Sequence, residues 1–105
     1  IDDSLVRGTT AKEIIKILKR KGAKKIHYFL ACPPIKYSCF FGIDTPQRSK
    51  LLANRFTPEE MAKYLEVESV NYLSITGLKN VFKKESKNYC LSCFTGNYIE
   101  EVKNV

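Results

Sequence analysis

The sequence predicts an α/β fold from three observations: a strand-like start that breaks into a Gly-Thr-Thr turn, an amphipathic helix directly after the turn, and an apolar strand behind the helix. Strand end, loop, helix and strand in that order make half of an α/β unit. With 105 residues, 44% hydrophobic and 11% aromatic, the chain has material for one core and reads as globular rather than disordered.

Each element has its own local reason. Ile1 to Gly8 reads as the tail of a strand running into a loop. Thr10 with Glu13 three residues later forms a capping box, and Ala11, Ile14, Ile15 and Leu18 recur at the spacing of one helical face. That helix is expected to reach about Lys21 and stop at Gly22, its basic last turn suiting the negative end of the dipole. Lys24 to Ala31, KKIHYFLA, reads as a strand, and its nearly continuous apolar run from Ile26 predicts a sheet covered on both faces.

Pro33 and Pro34 end the strand because neither donates to a ladder, and IKYSCFFGID follows as an aromatic loop. Asp44 and Thr45 both precede Pro46, so either caps a short helix reaching about Ala53. Thr57, Pro58, Glu59 and Glu60 repeat the device for a helix to about Leu65, with Met61 and Leu65 as its core face. Tyr72 to Ile75 reads as extended and Gly77 to Phe82 as a turn or two of helix; from Lys83 the chain reads as irregular until NYCLSCFTGNY. One clear strand does not make a sheet, so the pattern reads as part of a larger parallel sheet.

The net charge of +7 favours anionic partners. Much of it sits in KILKRKGAKK and VFKKESKN, which read equally well as solvated faces, so no nucleic-acid partner is expected. No apolar run approaches the roughly 18 residues of a membrane span, and no leader pattern is seen; a cytoplasmic setting without membrane contact is expected. Cys32, Cys39, Cys90 and Cys93 fit a reducing compartment and a metal or cluster. On residue types alone they make a four-thiolate zinc site if they converge, and the competing reading of the chain is therefore a small basic zinc protein that contacts nucleic acid. Cys90-Leu91-Ser92-Cys93 also has the shape of a redox pair, though it lies outside a βαβ start. His27 reads as a packed histidine without a chemical role.

The stretch DDSLVRGTT carries the sharpest chemistry. Gly8 permits a backbone conformation that a Cβ penalises, and Thr9 and Thr10 set hydroxyls and free N–H groups at a helix start, where an anion is favoured. A phosphate held there, with Asp2 and Asp3 on sugar hydroxyls or near a divalent ion, clamps a ribose phosphate from both ends. The plain alternative is two surface turn acids, a capping threonine and a solvated Arg7.

The string IDDSLVRGTT resembles the phosphoribosyl pyrophosphate (PRPP) motif of type I phosphoribosyltransferases, a strand followed by two acids and a glycine-threonine loop. Its SLVRGTT part is most similar to the amidophosphoribosyltransferase family, and LACPPIKYSCFFGIDTPQRSKLLA, NYLSITGL and YCLSCFTGNY resemble stretches of that family in order. The resemblance implies a partial type I phosphoribosyltransferase fold, with residues 1–54 as the C-terminal part of its core and 55–105 as a helical and irregular extension carrying the cysteine pair. It implies that Asp2 and Asp3 contact the ribose hydroxyls and help organise Mg2+, and that Ser4, Leu5, Val6, Arg7, Gly8, Thr9 and Thr10 form the loop for the 5′-phosphate.

For the cluster-bearing members the resemblance implies Cys39, Cys90 and Cys93 as ligands of a 4Fe-4S cluster, with a fourth ligand upstream. Cys32 is then spare, a buried small side chain able to substitute for the missing ligand. Tyr37, Phe40, Phe41, Tyr89, Phe94 and Tyr98 would pack as two loops around the cluster. The implied reaction passes ammonia from glutamine, bound in an N-terminal domain, to C1 of PRPP, giving phosphoribosylamine, glutamate and pyrophosphate in purine synthesis. The parent enzyme is expected to be a homo-oligomer. This chain, starting inside the motif, is expected to be a C-terminal portion that catalyses neither half-reaction alone.

Overall fold

The computed structural model describes residues 1–98. Helix α1 spans Thr9–Arg20, strand β1 His27–Leu30, the short α2 Leu52–Arg55, α3 Pro58–Leu65, strand β2 Ser69–Tyr72, α4 Ile75–Phe82 and α5 Ser92–Thr95. A single 3-10 turn lies at Arg48–Lys50 and a longer 3-10 segment at Lys83–Asn88.

β1 and β2 run parallel, with His27 opposite Ser69 and Leu30 opposite Tyr72. The strand end at Asp2 docks beside β1 in the same direction: the Asp2 amide donates to the Phe29 carbonyl and the Ala31 amide to the Asp2 carbonyl, each at 2.9 Å. Glu68 and Leu73 bond instead to Ile26 and Leu30, so β2 occupies the opposite edge. The missing neighbour of β1 is thus β2, which begins three residues earlier than the extended stretch expected at Tyr72 to Ile75. Residues 74 and 75 turn instead into α4, whose cap is the Ser74 hydroxyl accepting from the Gly77 amide at 2.9 Å.

Side chains from both strands and three helices meet in one core: Leu5, Ala11, Ile15, Tyr28, Leu30, Leu52, Met61, Ala62, Leu65 and Val70. Full burial of each Leu, Ile, Val or Met side chain in this set contributes roughly 1.5–3 kcal/mol, and the two alanines contribute less. In β1 only alternate residues are covered, Tyr28 and Leu30, while Phe29 is half exposed. Among the described residues, then, the sheet is covered on one face, not two; an apolar run does not reveal which of its faces finds a partner.

Two predicted caps change owner. Gly8, not Thr10, is the N-cap of α1; it adopts φ 83°, and no side chain caps the helix. Because the helix starts two residues sooner, Thr10 is already in the first turn and the expected box with Glu13 does not form. Thr45 does not cap either: its hydroxyl accepts from the Cys39 amide at 2.9 Å, and the Pro46 carbonyl accepts from the Ser38 hydroxyl at 3.0 Å. Those ties commit the segment to the aromatic loop, and the helix expected from Pro46 breaks into the 3-10 turn and α2. The Thr57 box forms as predicted, with the Thr57 hydroxyl accepting from the Glu60 amide and the Glu60 carboxylate from the Thr57 amide, both at 3.2 Å.

Candidate phosphosugar cleft and cysteine loops

A cleft of about 610 Å3 opens at the turn into α1, lined by residues 2–11 together with Asp44 and Pro46. All nine residues from Asp2 to Thr10 therefore face one space, although they contribute differently. Leu5 is buried in the core and Gly8 is buried beneath the loop, so these two offer backbone; Asp3, Arg7, Thr9 and Thr10 are exposed.

Gly8 makes the shape. Its positive φ disfavours any side chain, and a Cβ there would stand 2.9 Å from Leu52 Cδ2. The loop can thus press onto the core and still turn its amides outward. The first amide to reach a helical carbonyl is that of Lys12, which bonds to Gly8 at 3.0 Å. Those of Thr9, Thr10 and Ala11 precede the ladder and, with no side-chain cap, are free to meet an anion at the positive end of the dipole.

The acids stand on the other side of the cleft. Tyr28 donates its hydroxyl to Asp2 Oδ2 at 2.5 Å, and the Asp3 amide donates to Asp2 Oδ1 at 2.8 Å. These bonds, the tyrosine's first, hold the Asp2 carboxyl below its usual range. Burial, and then the same bond to Asp2, push the Tyr28 hydroxyl well above its usual value. Asp3 accepts from the Ser4 hydroxyl at 3.1 Å. Asp44, read in the sequence as a cap, is exposed at the cleft wall; its place within the resembling GIDTP segment was the only signal that marked it.

The cysteines lie on two loops that clasp each other. The amides of Lys36 and Tyr37 both donate to the Cys93 carbonyl at 3.1 Å, and the Tyr98 hydroxyl donates to the Ser38 carbonyl at 2.8 Å. The Phe40 and Tyr98 rings meet at 5.4 Å, and Gly96, at φ 79°, leaves space that a Cβ would take from the Tyr37 ring. Burial, followed by the charge of Cys90, raises the Cys93 thiol. Cys90 is exposed and lowered, chiefly by the Ser92 hydroxyl at 3.2 Å. Cys32 is half-buried and pushed up to about 11 by burial and then by Cys93. All four are free thiols. Among the described residues no group of three His, Cys, Asp or Glu side chains converges as a single metal ion requires, so the four-thiolate zinc reading is not supported.

A strand end with paired acids, a left-handed glycine and an open helix start, set against a parallel sheet, is the arrangement of part of a type I phosphoribosyltransferase fold. The chain is homologous to amidophosphoribosyltransferases, being 41% identical over 105 residues to the chloroplastic enzyme of Vigna aconitifolia (100% of this chain, 22% of that protein). It is 41% identical over 102 residues to that of Methanocaldococcus jannaschii (97% of this chain, 21% of that protein). Among solved structures it resembles the glutamine PRPP amidotransferase of B. subtilis complexed with ADP and GMP, with TM-score 0.84 and 34% identity over 96% of this chain and 23% of that one. A structure described as the allosteric regulatory enzyme of purine biosynthesis matches with TM-score 0.86 and 34% identity, over 98% and 23% of the respective chains. No family model matches. The chain spans about a fifth of the length of the curated relatives, matching a C-terminal portion.

Proposed function

We propose that the cleft binds the ribose 5-phosphate end of PRPP and that the chain serves as this part of an amidophosphoribosyltransferase. The observation that carries the reading is Gly8, which sets the free amides of Thr9, Thr10 and Ala11 opposite the acids across one cleft. The amides and Arg7 take the 5′-phosphate, while Asp2 and Asp3 take the ribose hydroxyls and hold Mg2+. When bound, Mg2+ supplies positive charge to the departing pyrophosphate. The chain's own residues then fix the sugar so that ammonia meets C1 as the pyrophosphate leaves; positioning and electrostatics suffice, and no side-chain nucleophile is required.

Both half-reactions, glutamine hydrolysis and transfer to PRPP, are assigned to the whole enzyme, which we take to be a homo-oligomer that binds glutamine outside this segment. Its products are phosphoribosylamine, glutamate and pyrophosphate. The 105-residue chain alone is expected to form no phosphoribosylamine. Four free thiols suit a reducing compartment, for which we propose the cytoplasm, while the Vigna aconitifolia relative is named as chloroplastic. No described helix is long and apolar enough to cross a membrane.

Titration of the chain with PRPP and Mg2+, followed by amide NMR, tests the cleft. Shifts centred on Gly8, Thr9 and Thr10 are expected, and their absence at millimolar ligand would defeat the reading.

Cys39, Cys90 and Cys93 are the proposed ligands of a 4Fe-4S cluster, with Cys32 as the spare thiol. An all-sulfur donor set on two clasped loops fits such a cluster, whose role here is to hold those loops together. Anaerobic reconstitution should yield iron, acid-labile sulfide and broad visible absorption.

A further inference from the structure

The Asp2 carboxylate is gripped from behind the cleft. Tyr28 sits on β1, beside the strand end that carries the acids, with its ring buried in the core. Its hydroxyl donates to Asp2 Oδ2 at 2.5 Å, while Oδ1 accepts from the Asp3 amide at 2.8 Å. With one donor on each oxygen, the plane of the carboxylate is set before any ligand arrives. Asp3 is exposed and receives one bond, from the hydroxyl of its neighbour Ser4 at 3.1 Å. Asp2 lines the cleft and Tyr28 does not. A phenylalanine would fill the same part of the core, so packing does not call for the hydroxyl; a buried phenol needs an acceptor, and the acceptor here is the site's own acid.

We propose that Tyr28 is a positioning residue of the cleft, holding Asp2 in the orientation in which it meets the ribose hydroxyls and the divalent cation. The inference rests on the reading of the cleft as a PRPP site. Tyr28 acts only through Asp2: a carboxylate already oriented gives up less side-chain freedom when the ligand binds. The two acids thereby divide the work, Asp2 as the fixed group and Asp3 as the adaptable one.

Four forms of the 105-residue chain test this: the native sequence, Tyr28→Phe, Asp2→Ala and the double variant. Two readouts are taken at one neutral pH. The first, without ligand, is the 13C resonance of Tyr28 Cζ, which reports hydrogen bonding of the hydroxyl; it should move in Asp2→Ala. The second is calorimetric affinity for PRPP with Mg2+, which should fall about tenfold in Tyr28→Phe, the scale of one hydrogen bond to a charged group, and no further when Tyr28→Phe is added to Asp2→Ala. If Asp2→Ala weakens binding while Tyr28→Phe binds like the native chain, the positioning role is overturned and the cleft reading stands. If Tyr28→Phe costs as much on the Asp2→Ala background, its effect is structural and the inference is equally overturned. A native chain that binds no PRPP overturns the cleft reading and the positioning role together, and the Cζ resonance then reports the side-chain pair by itself.

Discussion

From Leu5 to Val70 the chain gathers ten buried apolar residues into one cluster, whereas from Ile75 to Tyr98 the sole buried residue is the polar Ser92. The first region is held by apolar burial, and it carries the cleft as a loop pressed against that core. The second is held by bonds to the 32–47 loop and by ring pairs such as half-buried Phe82 with exposed Tyr89, whose centroids lie 4.2 Å apart. Order in the cleft is therefore inherited from packing. Order around the cysteines depends on a few polar ties and, in our proposal, on what the thiols bind.

The packed region is damaged most at Leu52, which is fully buried and touches both the core and the glycine turn. Leu52→Ala should cost about 4 kcal/mol in urea unfolding followed by helix signal. Gly8→Ala comes next, at about 3 kcal/mol, because it adds left-handed strain to a 2.9 Å approach to Leu52 Cδ2. Combining the two should cost less than the sum, since removing the leucine end relieves the approach; strict additivity in the same unfolding experiment would show that strain alone sets the cost.

The second region answers to a different perturbation. Reconstitution with iron and sulfide should slow hydrogen exchange of the Lys36 and Tyr37 amides, which bond to Cys93, about tenfold while leaving the Ala31 amide unchanged. Cys93→Ser should abolish the gain; equal slowing in both regions would contradict the separation drawn here.

A smaller effect belongs to alkali. Tyr72 is pushed up to about 12 from 10.0, mainly by burial and then by Cys32. A folded value above the unfolded one means that its contribution is complete below pH 10 and is lost as pH rises through about 12. Tyr72→Phe should flatten that part of the loss of stability between pH 10 and 12, with Tyr28 still contributing, as measured by urea midpoints across the range.

Which features were legible follows from how local their causes are. The Thr57 box and the helix it opens depend on residues within one turn, and both stand where the sequence puts them. The start of α1 shifted from Thr10 to Gly8 because the deciding contact is with Leu52, more than forty residues away. Strand β2, SVNY, has one strongly apolar residue and no alternation to mark it; pairing with β1 makes it a strand. Asp44 reached the cleft because Thr45 and Pro46 were tied to the aromatic loop.

By itself the sequence determined the acids, the glycine-threonine turn, the helix behind it and the spacing of the cysteines, because hydrogen-bonding capacity, permitted φ and helical period belong to neighbouring residues. Only the tertiary structure decided that the acids, the turn and the helix start face one cleft of about 610 Å3, that Asp2 is anchored by Tyr28, and that the cysteine loops clasp without forming a single-ion site among the described residues. Each of those depends on groups far apart in the chain, brought together when the apolar side chains of α1, β1, α3 and β2 leave water for a common core.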